Sequence, residues 1–266
     1  MNSHAKRFYQ QTNEETDFEH FFYEVIYLEE KSSLSFSSLK EMSPNLPKGW
    51  FELSKLTCSD RIEFTRDYWL KTLPFHPRAH PFLENFFSNV EDIGIYLTKE
   101  NPKSPFEPEL VYSMQNDSCF FRGFPPASYD LLQEAKAHFH NRIPNDFLSF
   151  NLIHNGFKKH SDTGIIPLEK IRKVTDLLHQ SLLESDRVVL CNEKAIDPSS
   201  LYPFYECFGL HSFQCFYADW YPTDEMGNVY FSGIDYSISD PAKKEKSLAF
   251  STFLDWLIFY LEQIEI

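Results

Sequence analysis

The pattern of apolar and polar residues predicts several short strands followed by one long helix at the C-terminal end. Over residues 248–264 the apolar positions recur with the i, i+3, i+4, i+7 spacing of an amphipathic helix. These positions are Phe250, Phe253, Leu254, Leu257, Ile258, Leu261 and Ile264. Runs of apolar and aromatic residues predict strands at 93–97, 110–114, 188–190, 213–217 and 229–232. Because helices alternate irregularly with clustered strands, the pattern favours an α+β fold over a doubly wound parallel sheet.

Three further helices are predicted between residues 128 and 183. Ser128 can cap the first of them, and Pro144 stands where the first turn of a second helix tolerates proline. Asn155-Gly156 ends the second helix, since glycine accepts the left-handed conformation of a C′ position at little cost. Pro167 opens the third helix, which continues to about residue 183.

The N-terminal half gives a less regular pattern. Residues 17–30, 59–73 and 82–90 are predicted to be helical, and residues 49–53 are predicted to form a short strand. Residues 1–16 are polar and are predicted to be disordered. Gly123–Pro126 is a natural boundary, which divides the chain into an N-terminal α/β region over 17–122 and a second region over 123–266. The sequence leaves open whether the first region is a separate domain or part of one fold.

Composition limits the classes of partner and the compartment. The net charge of -14 in 266 residues opposes binding to nucleic acid or to an anionic membrane, and it would attract a basic protein partner. The alternative is that the acidic character only aids solubility. Five cysteines without a CxxC motif, no apolar leader in the first 16 residues and no apolar run of membrane-spanning length predict a cytoplasmic protein.

Residues 195–242 contain no lysine or arginine, although they carry seven acids and twelve aromatic residues. Such a segment cannot neutralise its own charge, and it has too many rings for a disordered acidic tail. It is therefore predicted to be folded and to present an acidic surface. Within it, an acid-rich turn follows an aromatic pair. The residues that we expect to contact a partner are Asp219, Trp220, Tyr221, Asp224 and Glu225.

Four segments of the C-terminal half resemble the SUKH superfamily. They are LLQEAKAHFHNRIPNDFLSFNLIHNGF at 131–157, TGIIPLEKIRKV at 163–174, YADWYPTDEMGNVYFSG at 217–233 and STFLDWLIFYLE at 251–262. This superfamily includes a fungal regulator of cell-wall synthesis and bacterial immunity proteins that neutralise toxins. The residues that match its shared motif are Pro144, Asp146, Asn155, Gly156 and Pro167. The chain departs from the family pattern at Phe157, where relatives often carry a second glycine.

The resemblance implies an α+β fold with a mixed, largely antiparallel sheet, helices packed on it and an α/β N-terminal extension. It also implies a non-enzymatic role with a protein-binding surface that differs between members. The motif residues would then hold the fold rather than touch a partner. The function expected is that of an immunity protein that masks a basic toxin, or of an adaptor or regulator, with no cofactor.

The sequence also permits other chemistry, which we consider weaker. The eight glycines form no phosphate-binding motif. Cys207, His211, Cys215 and Asp219 are all capable of binding zinc, but they are too far apart along a strand or a helix for one ion. The alternative function is a hydrolase that uses a cysteine or a pair of carboxylates, which would require a deep pocket joining these groups.

Overall fold

A computed structural model describes residues 3–10, 22–31, 34–115, 119–185, 187–207, 211–220, 225–243 and 247–262. The helices in these ranges are α1 Ser3–Gln10, α2 Phe36–Met42, α3 Lys48–Leu53, α4 Cys58–Thr72, α5 Ala79–Ser88, α6 Tyr129–His138, α7 Asn145–Asn151, α8 Leu168–Glu184 and α9 Phe253–Leu261. In this described part of the chain, no helix combines the length and the apolar character needed to cross a bilayer.

The strands are short except for a central pair of long ones. They are β1 Glu24–Tyr27, β2 Val90–Lys99, β3 Glu107–Met114, β4 Phe120–Gly123, β5 Phe157–Lys159, β6 Gly164–Ile165, β7 Leu190–Cys191, β8 Lys194–Ala195, β9 Leu201–Cys207, β10 Ser212–Tyr217, β11 Asn228–Ser232, β12 Ser237–Ile238 and β13 Ala249–Phe250. They form one sheet in the order β1-β2-β3-β4-β5-β6-β9-β10-β11-β12-β7-β8, and β13 pairs with β11. The described strand pairs are antiparallel, except that β12 runs parallel to β7. The predicted α+β fold with a mixed, largely antiparallel sheet is therefore confirmed.

The sheet crosses the predicted boundary at residue 123. Strand β4 pairs with β5 through Phe121 and Lys159, and β6 continues the sheet to β9. Backbone hydrogen bonds thus join residues on both sides of the boundary. The division into domains stays a prediction.

Side chains on the two faces of the sheet belong to different apolar clusters. Because successive strand residues point to opposite faces, Tyr112 and Val111 of β3 lie on different sides. Tyr112 lies in the main core with side chains of α4, α5, α7 and α9, whereas Val111 packs with Ala5 and Tyr9 of α1. In β10, Phe216 belongs to the main core and Cys215 packs in a separate cluster with residues of α8. Helix α1 and the C-terminal part of α8, which carries Leu178 and Leu182, therefore cover the face opposite the main core, whereas Leu168 and Ile171 at the start of α8 belong to the main core.

Helix α1 corrects the prediction of disorder for its eight residues. Ala5 and Tyr9 are buried against the sheet, and the Tyr9 hydroxyl donates to Glu109 Oε2 at 2.5 Å. The Arg122 guanidinium donates to both oxygens of the same carboxylate, at 2.6 and 2.8 Å. Although burial alone would raise the pKa of Glu109, the adjacent Arg122 charge holds that pKa below its usual value. Residues 11–16 lie outside the described residues.

Two other local predictions were wrong, and both were overridden by tertiary contacts. Residues 24–27 form strand β1 instead of a helix, because Val25 and Ile26 pair with Thr98 and Leu97 of β2. Of the rest of that predicted helix, residues 28–30 form a short 3-10 turn and residues 22–23 are neither helix nor strand. Residues 17–21 lie outside the described part. Residues 49–53 belong to helix α3 instead of a strand, which buries Trp50 and Leu53 on one side at i, i+3 spacing.

The C-terminal helix is shorter than its apolar pattern predicts. The Thr252 side chain accepts a hydrogen bond from the Asp255 N–H at 3.0 Å, so α9 begins at Phe253. Ala249 and Phe250 instead form β13. The predicted strands at 93–97, 110–114, 213–217 and 229–232 are confirmed as parts of β2, β3, β10 and β11.

Candidate functional site

Asp219, Trp220 and Glu225 lie in the connection between β10 and β11. Asp219 and Glu225 are exposed, whereas Trp220 is half-buried. A Cβ atom at Gly227 would lie 2.2 Å from the Trp220 ring, so the indole rests directly on the glycine backbone. Two of the predicted contact residues, Tyr221 and Asp224, lie outside the described residues.

The turn between α6 and α7 supports this connection. The Arg142 guanidinium donates to the Ala218 carbonyl, and the Arg142 carbonyl accepts from the Met226 N–H at 3.3 Å. The Glu225 carboxylate accepts from Asn145 Nδ2 at 2.6 Å and from the Asn145 backbone N–H at 3.4 Å. This places a negative charge at the N-terminus of α7, where the helix dipole favours it. Glu225 is therefore both exposed and fixed in position.

The acids of the segment without lysine or arginine lie at two ends of the strands. Leu201 pairs with Tyr217, and Ser200 accepts from the Ala218 N–H at 2.8 Å, so Asp197 lies at the same end as Asp219. We call Asp197, Asp219 and Glu225 the acidic sheet end. The structure corrects the expectation of one acidic surface, because the other described acids do not all share this end.

Glu206 and Asp235 belong to the opposite end. Glu206 pairs with Phe213 near the start of β10, and Asp235 follows the C-terminal end of β11, which runs antiparallel to β10. Because β10 has six residues, the two ends are about 17 Å apart at about 3.3 Å per residue. Among the described residues, no lysine or arginine forms an ion pair with a member of the acidic sheet end.

Asn155 and Gly156 fix the start of α8. Pro167 occupies the N-cap position and supplies no side-chain cap, and the Asn155 Oδ1 atom instead accepts from the Leu168 N–H at 2.8 Å. Asn155 Nδ2 also donates to Glu169 Oε2 at 2.7 Å. Gly156 has a φ of +102°, and a Cβ atom there would lie 3.0 Å from Pro167 Cγ. Its predicted C′ position was wrong, since α7 ends earlier, at Asn151.

Asp146 connects two helix N-termini. Pro144 is the N-cap residue of α7, and Asp146 stands in the first turn as predicted. The buried Asp146 carboxylate accepts from the Phe147 N–H at 2.8 Å and from the Leu254 N–H of α9 at 2.9 Å. Burial raises the pKa of Asp146 to about 6, although these backbone hydrogen bonds oppose the rise. Asp146, Asn155, Gly156 and Pro167 thus make contacts between elements of the fold, whereas Pro144 marks the start of α7.

The sequence profile of the SMI1/KNR4 family (SUKH-1) matches residues 126–258, which is half of the chain. The chain belongs to the SMI1/KNR4 family. The matched SMI1/KNR4 segment contains all five motif residues and the acidic sheet end. It begins just after β4, so the match does not extend to strands β1–β4. A search of curated proteins found no match.

The alternative chemistry gains no support from the described residues. Burial is the leading cause that raises the pKa of the Cys58, Cys191, Cys207 and Cys215 thiols, whereas a nucleophilic cysteine needs a lowered pKa. His76 and His80 have the four-residue spacing of a possible metal-binding pair in the sequence. In the structure they accept backbone hydrogen bonds at the start of α5 through their Nδ1 atoms. Within the described ranges, no group of three or more His, Cys, Asp or Glu side chains is placed to hold a metal ion.

One buried histidine was missed by sequence reasoning. The His154 ring packs against Gly123 and bonds to the Phe124 carbonyl and the Tyr112 hydroxyl. The only signal in the sequence is its position directly before Asn155-Gly156, and its partners lie 30 and 42 residues away. A pattern within one segment could not identify them.

Proposed function

We propose that this member of the SMI1/KNR4 family is a non-catalytic protein-binding protein, and that its acidic sheet end docks on a basic surface of its partner. An immunity protein that covers the basic cleft of a toxin would act in this way, as would an adaptor or a regulator. The family membership supports a SUKH-type role. The exposed carboxylates at one end of β9, β10 and β11 are the observation that carries the proposal.

These carboxylates are suited to attract and orient a cationic surface. Asp219 and Glu225 are exposed, and neither forms an ion pair with a described lysine or arginine. A net charge of -14 attracts a basic partner from a distance and raises the association rate. Because Asn145 holds Glu225 and Arg142 holds the neighbouring backbone, little conformational entropy is lost on binding.

Trp220 would supply the apolar part of the contact. Its indole is half-buried on Gly227, so one portion of a rigid ring remains accessible next to the carboxylates. Tryptophan is enriched among the residues that dominate binding energy at interfaces. Cys58, Cys191, Cys207 and Cys215 carry free thiols, which supports a reducing compartment such as the cytoplasm as the place of action.

A pair of charge reversals tests this proposal. The partner is captured from the native cell, identified by mass spectrometry and purified, and its association rate is measured at low and at high ionic strength. Asp219→Lys should lower the association rate at low ionic strength by about tenfold or more, and added salt should reduce this difference. Asp235→Lys changes the net charge equally at the opposite end of the strands and should have an effect of less than about threefold.

Thermal unfolding of both variants shows whether the fold is retained. Equal effects of the two reversals would show that only net charge matters, and no effect of either would remove the acidic sheet end from the interface. Both results contradict the proposal.

A further inference from the structure

A second candidate site is a cleft of about 820 Å³ on the sheet face opposite the main core. Its floor includes Arg122 of β4, Lys158 of β5 and Glu206 of β9. Its walls include Phe22, which stacks on Tyr9 of α1, and residues of the first turns of α8. Strand β4 precedes the segment that matches the family profile, whereas β5, β9 and α8 lie inside it. The cleft is therefore built jointly by the two parts of the chain.

Lys158 and Glu206 face the cleft from the two sides of Gly164. Phe157 belongs to the main core, so the next residue of β5, Lys158, points to the opposite face of the sheet. Gly164 of β6 pairs with Glu206, and a Cβ atom at Gly164 would lie 2.5 Å from Lys158 Cβ. Because Gly164 has no side chain, β6 places nothing between the two charged side chains. Their Cα atoms are about 10 Å apart, at two strand spacings of about 4.8 Å.

Lys158 carries a positive charge without a counter-ion among the described residues. The side chain is half-buried, and burial together with the Arg122 charge lowers its pKa. Within the described part of the chain, neither Lys158 nor Glu206 forms an ion pair. The Lys158 Nζ atom is not among the side-chain atoms that are fully covered without a hydrogen-bond partner, so a ligand can reach it. A carboxylate brought into the cleft would compensate this charge.

Three charged groups next to Lys158 already have partners in the fold. The Arg122 guanidinium donates to both oxygens of Glu109, and Glu169 Oε2 accepts from Asn155 Nδ2 at 2.7 Å. Lys170 of α8 is exposed in the wall, and its charge lowers the pKa of Lys158 further. Both lysines therefore favour an anion at this end of the cleft.

The remaining acids of the cleft lie elsewhere in it. Glu100 and Glu107 line the part where β2 ends and β3 begins, and Asn45 Nδ2 donates to Glu107 at 3.2 Å. Glu206 is half-buried on β9, beyond Gly164. The floor of the cleft thus presents one cation on β5 and one anion on β9, each available to a ligand group of opposite charge.

The spacing of these two charges fits the side chains of one extended peptide. In an extended chain, residues i and i+2 lie on the same side about 7 Å apart, and long side chains extend over the rest of the distance. The two charged groups of a simple amino acid are bonded to one carbon atom and cannot engage both sites. Sites for drug-sized ligands measure about 300–1,000 Å³, so a cleft of about 820 Å³ has room for a short peptide segment.

We propose that this cleft binds an extended segment of a protein partner, with an acidic side chain of the segment paired with Lys158 and a basic side chain two residues away paired with Glu206. The inference rests on the proposed protein-binding function only in taking a protein as the source of the segment. It goes beyond that function by assigning a second contact, which recognises a pair of opposite charges instead of a basic surface.

The test is a titration of the full chain with the peptide acetyl-Glu-Ala-Lys-amide, followed by two-dimensional NMR of backbone amides. We expect saturable shifts at β5, β6, β9 and the start of α8. Acetyl-Gln-Ala-Lys-amide and acetyl-Glu-Ala-Gln-amide each lack one charge, and each should bind about fivefold more weakly. Equal binding of the three peptides, or no saturable binding of the first, would overturn the proposal.

Variants of the two cleft residues assign each peptide charge to its partner. Lys158→Met should abolish the preference for the peptide with Glu over its Gln analogue and leave the preference for Lys, whereas Lys158→Arg should retain both. Glu206→Gln should abolish only the preference for Lys. Lys159→Met is the matched control, because Lys159 pairs with Phe121 of the main core and lies on the other face, and it should change neither preference. Equal losses in Lys158→Met and Lys159→Met would contradict the assignment.

Thermal unfolding shows which variants keep the fold. Binding of free acetate as tight as that of the peptide would overturn the proposal, by identifying a site for a small anion. The acidic sheet end lies at the other end of β9 from Glu206, and Asp235 is not among the residues that line the cleft, so the two tests are separate. Failure of the peptide test would leave the role of the acidic sheet end standing. Loss of partner capture in Asp219→Lys with retained peptide shifts would show that the two contacts are independent.

Discussion

The Asp146 carboxylate accepts a hydrogen bond from the Leu254 N–H at 2.9 Å, across 108 residues of chain. Its other oxygen accepts from the Phe147 N–H at 2.8 Å. One buried carboxylate thus satisfies backbone donors in the first turns of α7 and α9. Side chains of both helices pack in the main core, so the position of Asp146 couples the family motif to the C-terminal helix.

Replacement of Asp146 by alanine should destabilise the fold. The change leaves two buried backbone N–H groups without an acceptor, and we expect the free energy of unfolding to fall by about 2–4 kcal/mol. Urea unfolding followed by circular dichroism measures this. Asp130→Ala is a matched control, because Asp130 is an exposed acid in the first turn of α6, and it should cost less than about 1 kcal/mol. Equal losses in both variants would contradict the bridging role.

His154 should make the protein sensitive to acid. Burial lowers its pKa from 6.5 to about 4, so the unfolded state binds the proton more tightly than the folded state. The stabilisation is complete above pH 6.5 and is lost as the pH falls from 6.5 to about 4, by about 3 kcal/mol. The raised pKa of Asp146 has the opposite effect between its ordinary value of 3.8 and about 6. A variant is therefore needed to isolate His154.

The measurement is urea unfolding at about pH 7 and about pH 5 for the original chain and for His154→Gln. The free energy of unfolding of the original chain should fall by about 2 kcal/mol more than that of the variant between these conditions. An identical pH dependence of the two proteins would show that His154 keeps an ordinary pKa in the folded state.

Gly156 should not tolerate a side chain. Its φ of +102° is unfavourable for other residues, and a Cβ atom would approach Pro167 Cγ to 3.0 Å. We expect Gly156→Ala to lower the free energy of unfolding by about 1–3 kcal/mol. Gly49→Ala is the matched control, since its Cβ atom meets nothing within 4 Å in helix α3, and it should be neutral or stabilising by about 0.5–1 kcal/mol. A neutral Gly156→Ala would contradict this account.

The buried pair of Arg122 and Glu109 should show strong coupling. Arg122→Met alone leaves the buried Glu109 carboxylate without its cationic partner, although it still accepts from the Tyr9 hydroxyl and, at 3.5 Å, from the Thr98 hydroxyl. The free energy of unfolding should fall by about 3–5 kcal/mol. The double variant Arg122→Met with Glu109→Leu removes both charges and should be more stable than the single Arg122 variant. Chemical unfolding of the two single variants and the double variant gives the coupling energy. Additive effects would show that the pair does not act as a unit.

Local patterns in the sequence correctly predicted the elements whose conformation follows from the spacing of their own apolar residues and from residues at their ends. The helix after Pro167 and the strand around Phe216 follow directly from spacing and capping, and both are confirmed. Residues 24–27 and 49–53 were assigned wrongly, because pairing with β2 and burial of Trp50 decided their conformation. The expected contact residues Asp219, Trp220 and Glu225 stay a prediction, as do Tyr221 and Asp224.

The sequence by itself determined the α+β class, the family motif and the accumulation of negative charge between residues 195 and 242. These depend on residue type and short spacing, which a chain carries before it folds. Only the tertiary structure decided that this charge is divided between two strand ends, that Asp146 reaches Leu254, and that Lys158 of β5 and Glu206 of β9 line one cleft. Each of these joins residues far apart in the chain, and the packing of the sheet and helices, rather than local spacing, brings them together.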